Sequence, residues 1–426
     1  YSMDQALYQN HLGILREELL VALGCTEPIA LAYAAAKARE VLGVLPDSVQ
    51  LQVSGSIIKN VKSVIVPNTG HLKGMEAAVA AGIIAGSAEK ELEVISEVSE
   101  EKKSAIRDYL QTVPITIEHT EQGHVFDIVV TERCGQDYAR VRIADYHTNI
   151  CRIEKNGTVL YEVPLLDETV QEDARADRSL LNMQDIWDFA ETADLRDVAD
   201  LLERQIRYNN AIAEEGLLGD YGANIGRVLL TTYGNDVSNR AKAKAAAGSD
   251  ARMNGCELPV IINSGSGNQG ITCSVPLIEY AKELHSGKEK LYRALIISNL
   301  VAIHEKTGIG TLSAYCGAVS AGAGAGAGIV YLCGDGYQAA IHTVVNALAI
   351  VSGIVCDGAK ASCAAKIASS VDAALLGYNM YKCNQEFKGG DGIVMKDIET
   401  TIKGIGRLGK DGMRQTNEEI IRLMMS

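Results

Sequence analysis

The chain has 426 residues and a formal net charge of −14, and its Lys and Arg residues are scattered rather than clustered. This pattern excludes a nucleic-acid-binding surface and a basic membrane-binding helix, so we expect a small-molecule partner. The length suggests two or three domains. Ten cysteines at wide, irregular spacings, with no signal peptide ahead of them, indicate reduced thiols of a cytoplasmic protein rather than a disulfide framework.

Two helices are predicted for residues 1–47. Leucines repeat with a helical period between Asp4 and Gly24, and Gly24 is typical of a helix end. Thr26 is a suitable cap for the second helix, so Cys25 falls at a helix N-terminus. The helix dipole there favours a thiolate, although a buried cysteine in a helix corner is the alternative. We expect residues 1–47 to pack on a helical domain further along the chain.

Residues 48–170 are predicted to form an α+β domain with a mixed sheet. β-Branched runs in this stretch are typical of strands, and a small-residue helix and a charged helix interrupt them. Lys59, Asn60 and His147 are candidate substrate contacts, and a purely structural histidine is the alternative for His147. The predicted strands are 49–53, 61–66, 115–117, 127–131, 140–143 and 151–153, and the predicted helices are 74–86 and 89–112.

Residues 171–426 are predicted to form an all-α domain, which follows an acidic linker at 167–180. The apolar runs 318–333 and 336–356 are not expected to span a membrane. The first is mostly Gly and Ala and is shorter than the ~20 residues that a span needs, and polar residues interrupt the second. The two runs are better explained as buried helices that pack closely through small residues. Such helices are also compatible with a homo-oligomeric interface. The predicted fold class is therefore α+β, with a small-residue-rich all-α catalytic domain.

Three cysteines of the helical domain are candidate metal ligands. Asp357 is predicted to cap a helix at 359–376, which places Cys356 before the helix and Cys363 within it. Seven residues along a continuous helix advance roughly 10 Å, so a break after Cys356 is needed to bring the two thiols together. Cys316 could supply a third thiolate. Three thiolates suit an iron–sulfur cluster with one open iron, whereas zinc usually takes four ligands or three and a water; small buried fillers of the core are the alternative.

The segment 265–270 matches the pattern G-x-G-x-x-G after a short apolar run, which makes a nicotinamide-dependent dehydrogenase the first alternative. A dinucleotide site needs a strand, a helix and a second strand in succession. Here Pro276 interrupts the segment that follows, and the next element has a helical pattern. We therefore reject the dinucleotide interpretation.

The same loop is similar to the asparagine loop of pyridoxal-phosphate β-eliminases, which is a second alternative. No Schiff-base lysine is recognisable around Lys242 or Lys244, and no phosphate cup can be assigned. We expect the loop to form an anion site at a helix start, where a substrate α-carboxylate binds. The alternative is that the loop is only the entry to a helix. The candidate substrate contacts in this region are Ser266, Asn268, Gln269 and Arg252. Arg252 could instead pair with Asp250.

Four ordered motifs together resemble the L-cysteine desulfidase family, which is related to the iron–sulfur serine dehydratase alpha chain. They are Gly-Cys-Thr-Glu-Pro at 24–28, Asp-Ala-Arg-Met at 250–253, Asn-Ser-Gly-Ser-Gly-Asn-Gln-Gly at 263–270 and Cys-Asp-Gly-Ala at 356–359. The resemblance runs from about residue 10 to about residue 420. It implies an oxygen-sensitive lyase that uses a [4Fe-4S] cluster to convert L-cysteine to sulfide, ammonia and pyruvate.

The resemblance also implies roles for individual residues. The three cluster ligands fall on Cys316, Cys356 and Cys363, and the proton-accepting cysteine falls on Cys25. In this hypothesis the open iron acts as a Lewis acid on the sulfur of the substrate, and a base removes the Cα proton. An L-serine dehydratase with the same cluster remains an alternative, and so does a cluster-bearing structural or sensing protein without catalysis.

Overall fold

The computed structural model describes residues 3–23, 26–120, 124–165, 175–311 and 313–426. The chain divides into two compact units, which we call the helical unit and the α+β unit. The helical unit comprises Tyr1–Gly24, Ala174–Cys356 and Ala361–Glu418, and the α+β unit comprises Cys25–Asp173, Asp357–Lys360 and Glu419–Ser426.

The α+β unit is built on a six-stranded sheet in the order β3-β2-β4-β5-β6-β7. Its strands are β2 (Ser48–Val53), β3 (Ile115–His119), β4 (Asp127–Cys134), β5 (Asp137–Ala144), β6 (Ile150–Lys155) and β7 (Thr158–Glu162). β2 pairs with β3 in parallel, whereas the other pairs are antiparallel. The sheet is therefore mixed, and the predicted α+β fold class is confirmed.

Alanine-rich helices supply the other layer of the α+β unit. The helices of this unit are α2 (Thr26–Leu42), α3 (Gly55–Val61), α4 (Met75–Ala85) and α5 (Glu100–Thr112), together with a 3-10 segment at Ala88–Glu93. Buried residues of α2, α4, β2, β4 and β5 form one core cluster. α2 thus lies in the α+β unit, and only α1 of the predicted N-terminal helix pair lies in the helical unit.

The predicted strand at 61–66 is wrong, because α3 ends at Val61. Ile57, Ile58 and Val61 are all buried, and their spacing of one, three and four residues follows a helical face rather than the alternation of a strand. The residues after Val61 form a turn in which Val64 and Val66 are buried, so the β-branched composition of 61–66 reflects burial rather than a strand.

The helical unit is dominated by long helices with small residues. Its helices are α1 (Gln5–Glu18), α6 (Met183–Thr192), α7 (Ala199–Leu218), α8 (Ile225–Tyr233), α9 (Val237–Met253), α10 (Gly267–Glu283), α11 (Lys288–Ile309), α12 (Gly317–Leu332), α13 (Tyr337–Ile350), α14 (Cys363–Lys382) and α15 (Ile398–Arg407). Short helical segments lie at Arg178–Leu180, Leu195–Asp197 and Leu408–Gly412, and α16 (Arg414–Met425) is divided between the two units. Strands β1 (Val21–Leu23) and β8 (Pro259–Ile261) form a small antiparallel pair.

The glycines of α12 allow neighbouring helices to approach closely. A Cβ at Gly324 would lie 2.5 Å from the carbonyl oxygen of Ser298 on α11, and one at Gly322 would lie 2.8 Å from the backbone of Ser370 on α14. The Ala-Gly run is thus a central, buried helix, as its composition predicts. None of the helices in the described part of the chain combines the length and the apolar character that a membrane crossing needs.

Close helix packing makes a substitution at Gly216 on α7 costly. A Cβ there would lie 1.8 Å from the carbonyl oxygen of Ala247 on α9, so Gly216→Ala must push the two helices apart. We expect a loss of about 3 kcal/mol in the free energy of unfolding, measured by denaturant titration. The control is Gly404→Ala on α15, where no atom lies within 4 Å of the added Cβ. It should stabilise the protein by about 0.5–1 kcal/mol, and equal effects at the two sites would contradict the packing argument.

Candidate active site

Cys316, Cys356 and Cys363 lie near one another in the helical unit. Cys316 and Cys356 belong to two short segments that pair with each other, and Cys363 begins a helix. The backbone N–H of Cys316 donates to the oxygen of Ile354 (3.1 Å), and that of Cys356 donates to the oxygen of Ala314 (2.6 Å). These bonds place the two segments antiparallel, with Cys316 directly before α12. Cys363 is the first residue of α14.

The predicted helix start at 359, with Asp357 as its cap, is wrong. Gly358 has a φ of 95°, in the left-handed region, and the Ala359 N–H donates to the backbone oxygen of Lys59 (2.7 Å). The ammonium group of Lys360 donates to the carboxylate of Asp357. The helix therefore begins only at Cys363, and the break after Cys356 that the spacing required is present.

The electrostatics of the thiols show that they interact. The pKa of Cys316 is raised to about 11, chiefly by burial and also by the charges of Cys356 and Cys363. Lys366 opposes the shift; its Nζ donates to the oxygen of Val355 (2.8 Å). A thiol with so high a pKa is protonated at neutral pH, whereas a bound metal cation deprotonates its thiol ligands and compensates their mutual repulsion.

The donor set fits a polynuclear iron centre. Cys316, Cys356 and Cys363 are half-buried, unlike the buried Cys273 and Cys151, and Cys316 packs against the core of the helical unit. In the described ranges, no group of three His, Cys, Asp or Glu side chains lies close enough to hold a single metal ion. The thiolates of an iron–sulfur cluster bind separate iron atoms, so such a centre does not need three ligands around one ion.

A tight turn precedes α10, which begins at Gly267. Ser264 and Gly265 both have positive φ values (51° and 77°), and the N–H of Ser266 donates to the oxygen of Asn263 (3.0 Å). Ser266 is the helix cap, and its Oγ accepts the N–H of Gln269 (3.3 Å). The glycine-rich loop is therefore a helix entry, and its N-terminal turn is suited to an anion.

Two glycines let polar side chains lie directly on this backbone. A Cβ at Gly267 would lie 2.1 Å from Nε of Arg252, and a Cβ at Gly317 would lie 2.2 Å from Nε2 of Gln269. Gly317 is the residue after Cys316. The structure therefore brings the predicted carboxylate site, Arg252 and the first predicted cluster ligand into one continuous set of contacts.

Three polar atoms of this set have no hydrogen-bond partner among the described residues. They are Nε of Arg252, Oδ1 of Asn268 and Oε1 of Gln269, and all three atoms are buried. Buried polar atoms in native proteins almost always have a partner, so an absent one indicates a water or a ligand. One charged donor and two neutral acceptors are therefore available for a water or a ligand.

Arg252 does not pair with Asp250, which settles the alternative that the sequence left open. Asp250 is fully buried, and its Oδ2 accepts the N–H of Gly226 (3.1 Å) at the start of α8. Burial raises the pKa of Asp250 to about 6, although the hydrogen bonds from the α8 backbone oppose that shift. Asp250 thus caps a helix, and the Arg252 guanidinium lies against Gly267 of the loop.

The remaining predicted site residues belong to the α+β unit. His147 lies 3.6 Å from a carboxylate oxygen of Glu27 and packs edge-on against the ring of Phe126. Lys59 is buried at the end of α3, and Asn60 follows it. Cys25 lies outside the described residues, so its predicted role has no structural description here. The roles of Lys59, Asn60 and His147 in substrate binding stay predictions.

Three half-buried thiols are soft donors of the kind that iron–sulfur clusters prefer, and they lie beside a helix start with unpaired polar atoms. The family model described as serine dehydratase alpha chain matches residues 89–422. The chain therefore belongs to the serine dehydratase alpha chain family, as the resemblance implied. It is a lyase-type, serine dehydratase-like protein of a family that is generally associated with an iron–sulfur cluster.

Bacterial relatives match the chain over nearly its whole length. A UPF0597 protein of Desulfitobacterium hafniense is 61% identical over 419 residues, covering 98% of this chain and 97% of the relative. UPF0597 proteins of Lachnoclostridium phytofermentans and Treponema denticola are 52% and 47% identical, covering 99% and 100% of this chain and 100% and 99% of those relatives. The similarity therefore includes the N-terminal 88 residues that precede the family match.

Proposed function

We propose that the protein is an L-cysteine desulfidase that converts L-cysteine to sulfide, ammonia and pyruvate. In this proposal Cys316, Cys356 and Cys363 hold a [4Fe-4S] cluster with one open iron. Family membership supports a lyase with an iron–sulfur cluster, and the four motifs in the sequence support cysteine as its substrate. The family description favours L-serine as the alternative substrate of the same site.

The observation that carries the proposal is the set of unpaired atoms beside Cys316. Arg252 and the N–H groups of the first turn of α10 are complementary to a carboxylate, and the amide oxygens of Asn268 and Gln269 are complementary to an ammonium group. A free α-amino acid carries both groups on one carbon. The site thus favours a zwitterionic amino acid whose side chain lies toward the thiols.

A cluster bound to the three thiolates would supply a Lewis-acidic iron that eases departure of the sulfur of the substrate. The polypeptide's part is to hold the amino acid still. Arg252 fixes the carboxylate, and the amide oxygens fix the ammonium group, so the Cα–H bond keeps one orientation. The cradle at Gly267 and Gly317 positions these side chains because any larger residue would displace them.

Proton removal is assigned to Cys25 on the basis of the family resemblance. Its Sγ, as a thiolate, accepts the Cα proton while the C–H electron pair forms the Cα–Cβ double bond and the C–S pair leaves with sulfur. The resulting aminoacrylate tautomerises, and water hydrolyses it to pyruvate and ammonia. An ordinary thiol pKa is near 8.5, so a position at the start of a helix would raise the thiolate fraction at neutral pH.

The chemistry also suggests where the protein works. Free thiols and an iron centre with an open position are preserved under reducing, oxygen-poor conditions, so we propose a cytoplasmic, oxygen-sensitive enzyme. Its partner is the small-molecule substrate L-cysteine rather than a nucleic acid or a membrane. Small-residue helices are compatible with a homo-oligomer, whose size sedimentation would measure.

The proposal is tested by substrate analogues that lack one of the two charged groups. Cysteamine lacks the carboxylate and 3-mercaptopropionate lacks the ammonium group, and both keep the thiol. We expect each to inhibit anaerobic L-cysteine turnover with an inhibition constant about 10-fold or more above that of the D-enantiomer of cysteine, which keeps both groups. Gln269→Ala should reduce the discrimination against 3-mercaptopropionate, because it removes an acceptor of the ammonium group. Inhibition constants that are equal for cysteamine, 3-mercaptopropionate and D-cysteine would contradict the proposed site.

A further inference from the structure

Five fully buried polar side chains are hydrogen-bonded around the turn that precedes α10. Each is 0% exposed, and they are Gln205 and Asn209 on α7, Asn263 in the turn, Ser274 on α10 and Asn299 on α11. Gln205 and Asn209 are four residues apart, so they share one face of α7. Burial of an amide group is unfavourable unless the group is hydrogen-bonded, so the partners of these side chains show what the network holds.

The amide groups of Gln205 and Asn299 form a reciprocal pair. Nε2 of Gln205 donates to Oδ1 of Asn299 (3.0 Å), and Nδ2 of Asn299 donates to Oε1 of Gln205 (2.9 Å). Asn299 also accepts from the turn: Nδ2 of Asn263 donates to its Oδ1 (3.0 Å) and to its backbone oxygen (3.2 Å). The pair formed by α7 and α11 therefore fixes the side chain of Asn263.

Asn263 in its place sets the conformation of the turn. Its Oδ1 accepts the hydroxyl of Ser264 (2.9 Å), whose φ of 51° lies in the left-handed region. Its backbone N–H and oxygen bond to the oxygen and the N–H of Ser266 (3.1 and 3.0 Å). A non-glycine residue with such a φ is unfavourable by itself and persists where its surroundings hold it. The side chain of Asn263 provides that support.

Asn209 fixes the strand that leads into the turn. Its Oδ1 accepts the N–H of Ile261 on β8 (2.8 Å), and its Nδ2 donates to the oxygen of the same residue (3.1 Å). The side chain thus bonds both backbone groups of one residue, as a paired strand does. Nδ2 of Asn209 also donates to Oγ of Ser274 (2.9 Å) on α10. One side chain of α7 therefore joins the strand before the turn to the helix after it.

We propose that Gln205, Asn209 and Asn299 are positioning residues for the substrate-binding turn at 263–266. They contact no substrate; they hold the turn so that the N–H groups at the start of α10 lie where the α-carboxylate binds. This inference rests on the proposed function, which assigns the carboxylate to that helix start. Every amide of the network is hydrogen-bonded, and a fully satisfied buried network specifies one arrangement of the backbone that it contacts.

The kinetic test uses apolar variants of similar volume, Asn299→Leu and Gln205→Met. We expect KM for L-cysteine to rise about 10-fold or more while kcat stays within about threefold of the wild type. The reason is that a displaced turn weakens the hold on a carboxylate that is bound both before and during elimination. Iron per chain should equal that of the wild type. An unchanged KM in both variants would overturn the proposal.

Asn346→Leu on α13 is the matched control. Asn346 is also 0% exposed; its Nδ2 donates to the oxygen of Gly377 (3.0 Å), and its Oδ1 accepts the N–H of Phe387 (3.1 Å). The control should lower the Tm as the other variants do, because it too leaves buried backbone groups without partners, but KM should not change. An equal rise of KM in Asn346→Leu and Asn299→Leu would assign the effect to lost stability and overturn the proposal.

Hydrogen–deuterium exchange tests the positioning role without any substrate. The backbone N–H groups of Asn263 and Ser266 should exchange about 10-fold faster in Asn299→Leu than in the wild type, and at the wild-type rate in Asn346→Leu. Equal exchange in all three proteins would overturn the inference whatever the substrate is. If the enzyme prefers L-serine, the proposed substrate is wrong, but KM for L-serine should rise by the same factor because the two amino acids share the carboxylate.

Discussion

Replacing any of Cys316, Cys356 or Cys363 by Ala is expected to remove most of the iron from an anaerobically reconstituted protein. Each loss deletes one of the three thiolates on which the proposed centre depends, since the fourth iron has no protein ligand in this account. Without the Lewis acid, several kcal/mol of transition-state stabilisation are lost, so turnover should fall by about 10³-fold or more. Iron is measured colorimetrically, and the visible band is followed before and after dithionite.

The matched control is Cys383→Ala. Cys383 is an exposed thiol that ends α14, the helix that Cys363 begins. The Cys383→Ala variant should retain iron and turnover within about a factor of two, because Cys383 lies at the opposite end of α14 from Cys363. An iron-replete protein with all three of the other cysteines replaced would end the ligand assignment.

Cys25→Ser is expected to separate proton transfer from cluster binding. Iron content and the visible spectrum should match the wild type, because Cys25 is not among the proposed ligands. Turnover should fall by about 10² to 10⁴-fold, since a serine hydroxyl is a far weaker base than a thiolate. Stopped assays of pyruvate and sulfide under argon provide the rate.

Cys134→Ser is the control for this variant. Cys134 is a half-buried cysteine at the end of β4 in the α+β unit. Its replacement should leave kcat unchanged. A fully active Cys25→Ser protein would assign the proton acceptor to another residue, whereas an inactive protein that has also lost its iron would make Cys25 a structural or ligand residue instead.

Local patterns predicted much of the fold because each depends on neighbours in sequence. The Ala-Gly run at 317–332 could form only a helix in close contact with others, since its residues have little side-chain area to bury in any other way. The alternating β-branched strands of the sheet were likewise visible. The predicted strand at 61–66 failed because Val61 ends α3 and a turn follows it, in which Val64 and Val66 are buried without joining a sheet.

Parts of the site could not be read from sequence because they depend on contacts between distant segments. The approach of Gln269 to Gly317 joins α10 to α12, and nothing in either motif specifies that pairing. The helix start at Cys363 depends on Ala359, whose N–H is already bonded to Lys59. Tertiary packing decides both features.

The positions of two glycines were the sequence signal that could have pointed to these contacts. Gly267 directly follows Ser266, and Gly317 directly follows Cys316; both preceding residues were predicted site residues. A glycine in such a place often permits a close approach by a side chain or a ligand. That signal names the position where something approaches but not the group that does so, and the structure identifies the groups as Arg252 and Gln269.

The most direct test of the central claim is the specificity ratio of one anaerobic preparation that contains about four iron and four acid-labile sulfide per chain. kcat/KM is measured for L-cysteine and for L-serine, with pyruvate as the common product. We predict that kcat/KM is at least about 10-fold higher for L-cysteine than for L-serine, and that iron-free protein turns over neither substrate. A higher value for L-serine would make the protein a serine dehydratase, and turnover by iron-free protein that hydroxylamine abolishes would replace the cluster mechanism with pyridoxal-phosphate chemistry.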